Sequence, residues 1–179
     1  MIRIRYTIKD SAIAGKGMFA QEEIAPGRII FAPTNIDEVI SQEEFAERIR
    51  EKLHFPHADT SVVWFEDLYS MTHSWTDDCY INHSVTPNAI WHLGFVIAIS
   101  EIPAGAEITM DYRHLIDPHF HTEWHDKDTG QPLRGHHWTD NFLLSTATLL
   151  SIYHRQASEQ ARQSVRELLL SLQTDGGGP

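Results

Sequence analysis

The sequence predicts a mainly β domain carrying some α-helix, with a helical appendage at its C-terminal end. Three observations predict it. Ile2, Ile4, Tyr6 and Ile8 alternate with Arg3, Arg5 and Thr7, the period of two of a half-buried strand. Val62–Phe65 and Phe95–Ile99 are short apolar runs of strand length, the second turned by Pro103-Ala-Gly105. From Asn141 the period changes: Leu143, Ala147, Leu150, Tyr153, Ala157, Ala161, Val165, Leu168 and Leu172 fall at steps of three or four.

Taken in order, the first strand ends at Lys9-Asp10-Ser11. Gly15-Lys16-Gly17 allows a main-chain path closed to residues with a Cβ. Met18-Phe19-Ala20 resumes as strand, and Arg28 to Ala32 is another. Ile24-x-x-Gly27 and Ile102-x-x-Gly105 read as two turns of similar chemistry. Ser41 to Leu53 predicts a helix: Ser41 and Glu44 form a capping box, and Ile40 and Phe45 a hydrophobic staple. Val62–Phe65 and Phe95–Ile99 are strands, and Glu107 to Tyr112 follows the second turn. Residues 117 to 138 read as irregular. One helix is expected from Asn141 to about Leu172, capped by Thr139 or Asp140. Unbroken, it would be about 45 Å long, too long for a small β-core to cover. A break near His154, or pairing of the free stripe with a second copy of the chain, resolves that. Gly176-Gly177-Gly178-Pro179 predicts a disordered tail.

Cys79 is the only cysteine, so neither an internal disulfide nor a cysteine-cluster zinc site can form. The start, Met1-Ile-Arg-Ile-Arg-Tyr, has no apolar signal core, no run reaches membrane length, and a cytoplasmic location is expected. A net charge of -11 disfavours nucleic acid as a partner and favours a basic one.

The centre of the chain is Asp78-Cys-Tyr-Ile-Asn82-His83-Ser84-Val-Thr-Pro87-Asn88, a short apolar stretch running into a turn that Pro87 enforces. Before it lies Gly15-Lys16-Gly17-Met18; after it lies Glu107-Ile-Thr-Met-Asp111-Tyr112. On the residues alone these are a plain turn, a strand-to-turn corner and a strand end. Their order and spacing together, over about residues 1 to 112, resemble the SET-domain protein lysine methyltransferases. The resemblance implies a SET fold, a β-clip of short curved sheets with a knot-like crossing. That fold would occupy residues 1–115 with a variable insert at about 33–64. A post-SET segment and C-terminal helix would occupy 116–175.

The resemblance further implies methyl transfer from S-adenosyl-L-methionine to the ε-amine of a lysine on a protein substrate. Tyr112 matches the family's catalytic tyrosine. Gly15, Lys16, Gly17 and Met18 would hold the cofactor through backbone groups, with Asn82 and His83 beside them. Asp111 would help fix the crossing that brings residues 82–84 against 111–112. Tyr69, Trp75 and Tyr80 are candidates for the wall of the lysine channel, although core packing is the simpler reading of each.

The chain departs from the family pattern where many members carry cysteines: Val85 follows Asn-His-Ser, and no Cys-x-Cys tail exists. A zinc-held lid is therefore not expected, and Phe120, Trp124 and Trp138 are candidates to close the cofactor pocket. His119, His121, His125, His136 and His137 crowd the segment after Tyr112. Two rival readings follow: a metal-dependent β-fold enzyme using His119, His121 and His125, and a non-catalytic SET-like binding module.

Overall fold

The computed structural model describes residues 1–34, 36–50, 60–119 and 124–175. Leu53, Phe120, His121 and the expected tail at 176–179 lie outside the described residues. The architecture is mostly β in three small sheets, with helices at the insert and the C-terminal end.

The expected first strand is split between two partners. Residues 1–3 run beside β3 (Ile29–Phe31), with Arg3 N–H donating to the Ile30 carbonyl at 2.8 Å and Ile2 bridging Phe31. β1 (Tyr6–Asp10) then pairs antiparallel with β2 (Lys16–Ala20). Burial alternates over residues 1–5, but Tyr6, Thr7 and Ile8 are all half-buried, so the alternation is lost where the chain changes neighbour. The expected insert at about 33–64 is joined by the strand that follows it into a sheet of its own, β4 (Glu38–Ser41), β6 (Leu68–Met71) and β5 (Val62–Phe65), in the order β4-β6-β5. Helix α1 (Gln42–Arg50) starts from it. Ser41 Oγ accepts from the Glu44 N–H at 3.2 Å, and Ile40 and Phe45 share a buried cluster with Tyr69 and Met71. The Glu44 carboxylate pairs with Arg48 at 2.6 Å rather than reaching back to close the box.

The two similar turns face each other. Gly27 and Gly105 both adopt positive φ, 84° and 88°, and the main chains of Ile24 and Ile102 exchange hydrogen bonds at 2.9 and 3.0 Å. In each turn the glycine sits at the third position, where a Cβ would be strained. Ile24 and Ile102 thereby enter one core with Met18, Ile30, Ile81 and Ile108, all essentially inaccessible.

The central sheet has the order β3-β9-β8-β10-β7, where β7 is Asn82–His83, β8 Ala89–His92, β9 Phe95–Ala98 and β10 Thr109–Met110. β10 lies between β7 and β8 and runs parallel to both: Thr109 opposes Asn82, and Met110 opposes His83 and Ala89. The connection 84–88, which joins β7 to β8, must therefore cross β10. Asn88 fastens the crossing from both ends of its amide. Its Nδ2 donates to the Glu107 carbonyl at 2.8 Å, and its Oδ1 accepts from the Thr109 N–H at 2.9 Å.

The expected single C-terminal helix is two: α2 (Trp138–Gln156) and α3 (Glu159–Asp175). Ala157 turns extended, and Ser158 Oγ accepts from the Ala161 N–H at 3.3 Å, so serine acts as the cap of a new helix. The face that α2 buries also differs from the expected Leu143–Ala147–Leu150–Tyr153 stripe. It is Asn141, Ser145, Leu149 and Ile152 that are buried, with Leu149 against Ile90 and Ile97. The polar pair on that face is satisfied: Ser145 Oγ meets His92 Nδ1 at 2.8 Å, and Asn141 Nδ2 donates to the His114 carbonyl at 2.8 Å. No helix among the described residues is long and apolar enough to cross a membrane.

Candidate active site

The glycine loop is held by Asn82. From β7 its Nδ2 donates to the carbonyls of Ala14 at 3.2 Å and Lys16 at 3.1 Å, and to Glu107 Oε1 at 2.8 Å. Ser11 Oγ lies 2.7 and 2.9 Å from the two oxygens of the same carboxylate. Gly17 lies against this group: a Cβ on it would stand 2.1 Å from Glu107 Oε1 and 3.1 Å from Asn82 Nδ2. A side chain here would have to displace the Glu107 carboxylate from its bonds to Ser11 and Asn82. Gly15, at φ +45°, would find nothing within 4 Å of a Cβ, so its main chain borders open space. Met18 is fully buried and its carbonyl accepts from Ile108 N–H at 2.8 Å, which leaves it a core residue. Glu107 and Ser11 were not singled out from the sequence; only the crossing brings Asn82 and the carboxylate together.

β10 delivers the second half. Ser84 N–H donates to the Met110 carbonyl at 3.0 Å, and Tyr112 N–H to His83 Nδ1 at 3.1 Å. Accepting at Nδ1, a neutral His83 carries its proton on Nε2. That nitrogen is buried without a hydrogen-bond acceptor, 3.4 Å from Asp126 Oδ2. The Tyr112 hydroxyl donates to the Ile81 carbonyl at 2.8 Å. Burial, with Cys79 and Glu107 nearby, pushes its pKa up to about 12, so the phenol stays neutral throughout the physiological range. The glycine loop, the Asn-His corner and Tyr112 thus meet in one place.

Asp111 caps the turn that follows. Its Oδ1 accepts from the Arg113 N–H at 3.0 Å, and its carboxylate takes the Arg113 side chain in a fork at 2.5–2.9 Å. Burial opposes its charge, but the guanidinium and the backbone N–H more than offset this and hold the carboxyl below the usual range. A depressed carboxyl contributes stability above its unfolded pKa and loses it as pH falls through the folded value. Arg113→Ala is therefore expected to cost about 1–2 kcal/mol at pH 7, since the arginine is partly solvated. The cost should shrink towards zero below about pH 4, as read by urea unfolding at several pH values.

A cavity of about 690 Å³ adjoins Tyr112. Its walls have two sources: the core supplies Ile81, Trp91, Met110, Tyr112 and Leu115, and the insert supplies Phe45, Ile49, Tyr69 and Met71. Tyr69 stacks on Phe45 with ring centres 4.3 Å apart, and its hydroxyl is bonded to Asp117; burial and that carboxylate raise its pKa. Trp75 lines the cavity but is half exposed, backed edge-on by Tyr80 at 6.0 Å. Tyr80 is not part of the lining. Gly17, Asn82 and His83 lie outside this cavity, so Tyr112 is the member common to both halves of the site.

Residues 124–133 fold over the site as a short hairpin, closed by Leu133 N–H donating to the Trp124 carbonyl at 2.9 Å. Trp124 stands 5.8 Å from the Tyr112 ring, Asp126 faces His83, and Lys127 Nζ donates to the Ala12 carbonyl. The Thr129 hydroxyl and N–H hold the Asp126 carboxyl below the usual range. Trp138 packs elsewhere, on Phe142 at 5.1 Å. Among the described residues the grouping with metal-ligand geometry is Asp111, His114 and His136, which includes neither His119 nor His125. Both oxygens of Asp111 are taken by a cation, Arg113, and His114 Nδ1 is bonded to Asn141, so a second cation there would meet like charge. His119 instead packs edge-on to His137 at 5.5 Å, and His125 bridges Pro132.

The fold and the meeting of the motifs agree with comparison to known families. The SET domain family model matches residues 15–113, more than half of the 179-residue chain, and the chain belongs to the SET-domain family. Proteins of this family are generally lysine methyltransferases that use S-adenosylmethionine. A comparison with curated proteins gave no match.

Proposed function

We propose that this chain transfers a methyl group from S-adenosyl-L-methionine to the ε-amine of a lysine on a protein substrate. The observation that carries the reading is the position of Tyr112. Its N–H is bonded to the Asn82-His83 corner that holds the glycine loop, while the residue also lines an apolar cavity.

The residues present suit the cofactor. It carries an ammonium and a sulfonium; the Glu107 carboxylate, held by Ser11 and Asn82, stands behind the loop, whose main chain is open at Gly15. Gly15, Lys16, Gly17, Asn82 and His83 would hold it; Met18 would support them from the core. Bound there, the cofactor supplies an electrophilic methyl group.

The chain's own groups do the rest. A free lysine has a pKa of about 10.4, so presenting it neutral at pH 7 costs roughly 4–5 kcal/mol in water. Walls of Ile81, Trp91, Met110 and Leu115 disfavour the ammonium and lower that cost. The Tyr112 proton is committed to the Ile81 carbonyl, which leaves the oxygen's lone pairs for the amine and the partly positive methyl carbon. Tyr69 and Trp75 extend the aromatic wall, against which a methylated ammonium is attracted by cation–π forces. A chain of charge -11 draws in a basic protein segment.

Calorimetric titration with S-adenosylmethionine and with its demethylated product is the test. One-to-one binding of both is expected, followed by transfer of labelled methyl to lysine in a basic protein. Folded protein that binds neither would move the reading to a SET-like binding module.

A further inference from the structure

We infer that the cavity beside Tyr112 is a double site. Its core half takes the target lysine, and its insert half takes a large apolar side chain two residues away on the same substrate segment. The inference rests on the proposed methyl transfer and adds the sequence context that the site selects.

The first ground is size. A lysine side chain has five heavy atoms, and at about 30 Å³ each, the share a water takes in the liquid, it fills roughly 150 Å³. The cavity measures about 690 Å³. Protein interiors close most voids larger than a water, and spaces of about 300–1,000 Å³ are the size of ligand sites. The hollow therefore has room for a second side chain beside the lysine.

The second ground is the fixed join between the halves. Val63 N–H, on β5, donates to the Leu115 carbonyl at 2.9 Å. Gln42 Nε2, at the start of α1, donates to Asp117 Oδ2 at 2.7 Å, and the Tyr69 hydroxyl donates to the same oxygen. The insert wall is thus tied to the segment that leaves Tyr112, and the two halves keep one spacing.

The third ground is the chemistry of the insert half. Phe45 and Met71 line it and are almost wholly buried, while Ile49, 37% exposed, stands at its edge. Polar side chains along the cavity already have partners within the chain. Besides Tyr69 on Asp117, the Thr60 hydroxyl donates to the Thr72 carbonyl at 2.6 Å, and the Thr72 hydroxyl to the Ser74 carbonyl at 3.1 Å. A charged occupant would lose its hydration without gaining those groups as partners, so the insert half selects an apolar one.

The fourth ground is reach. In an extended segment, residues two apart project to the same side, about 6.6 Å from each other. A lysine at Tyr112 and the residue two along then enter one cavity together. The side chain between them faces solvent, where a chain of charge -11 favours a basic residue.

Peptides with Phe, Leu, Ala or Glu placed two residues before or after a lysine test this. Fluorescence anisotropy reads binding, and labelled methyl reads turnover. At one of the two positions Phe or Leu should bind about 10–100-fold tighter than Ala, with the gain in turnover lying in KM rather than kcat. Glu should do no better than Ala. Ile49→Glu should bring the Phe-to-Ala ratio close to one, with S-adenosylmethionine binding by the same variant reporting that it is folded. Equal binding of the Phe and Ala peptides, no binding of either, a preference for Glu, or a ratio indifferent to Ile49→Glu would each overturn the double site. Should those results come from protein that binds S-adenosylmethionine and methylates lysine, the double site alone falls; protein that does not bind the cofactor overturns the methyl-transfer reading as well.

Discussion

Tyr112→Phe is expected to lower kcat by about 10²–10³-fold, the scale seen when one positioned polar group is withdrawn from a transition state. The affinity for S-adenosylmethionine should stay within about two-fold, because the groups assigned to the cofactor do not include the phenol. The hydroxyl lost is the one whose proton is held by the Ile81 carbonyl, leaving its oxygen for the amine. The ring, its packing against His83 at 5.4 Å and the Tyr112 N–H bond to His83 all remain. Melting temperature should thus move little, although the Ile81 carbonyl loses a donor worth about 1 kcal/mol. Single-turnover methylation, read beside calorimetry on the same samples, checks this. An unchanged rate would remove Tyr112 from the chemistry.

Gly17→Ala should damage stability and cofactor affinity together. The new methyl would sit 2.1 Å from Glu107 Oε1, an oxygen already tied to Ser11 and Asn82. Displacing the carboxylate breaks those bonds and loosens Asn82 from the loop carbonyls. Overpacking of this kind costs about 1–3 kcal/mol. Affinity for the demethylated cofactor should fall at least about ten-fold. Gly15→Ala is the informative partner: space is open there, so it should cost backbone strain at φ +45° without disturbing Glu107. Equal effects from the two variants would contradict the packing argument.

Much of the fold could be read from the residues, and the failures have physical causes. The turns at Gly27 and Gly105, the cap at Ser41 and the strands β5 and β9 obey local rules. The meeting of Asn82, His83 and Tyr112 was implied by the family resemblance, not by any pattern of hydropathy. The strand Ala89–His92 has three buried residues in succession, so no alternation marked it. Glu107 was given no role because its partners, Ser11 and Asn82, are 96 and 25 residues away. The buried face of α2 was hidden behind a more apolar stripe. Asn141 and Ser145 look like solvent-facing residues until His114 and His92 are seen to satisfy them. Periodicity located that helix but could not say which side the core had recruited.

The strand that lies beneath residues 84–88 also constrains the order in which the molecule is made. In this sequence sixty-nine residues, Asp111 to Pro179, follow Thr109–Met110, and pulling such a tail through a five-residue noose would be slow. A noose laid over the strand, with Met110 beside Ala89 and Asn88 fastening the crossing, avoids that threading. The Asn82–Glu107 junction of the pocket therefore depends on both sides of the crossing being in place, β7 and β10 together.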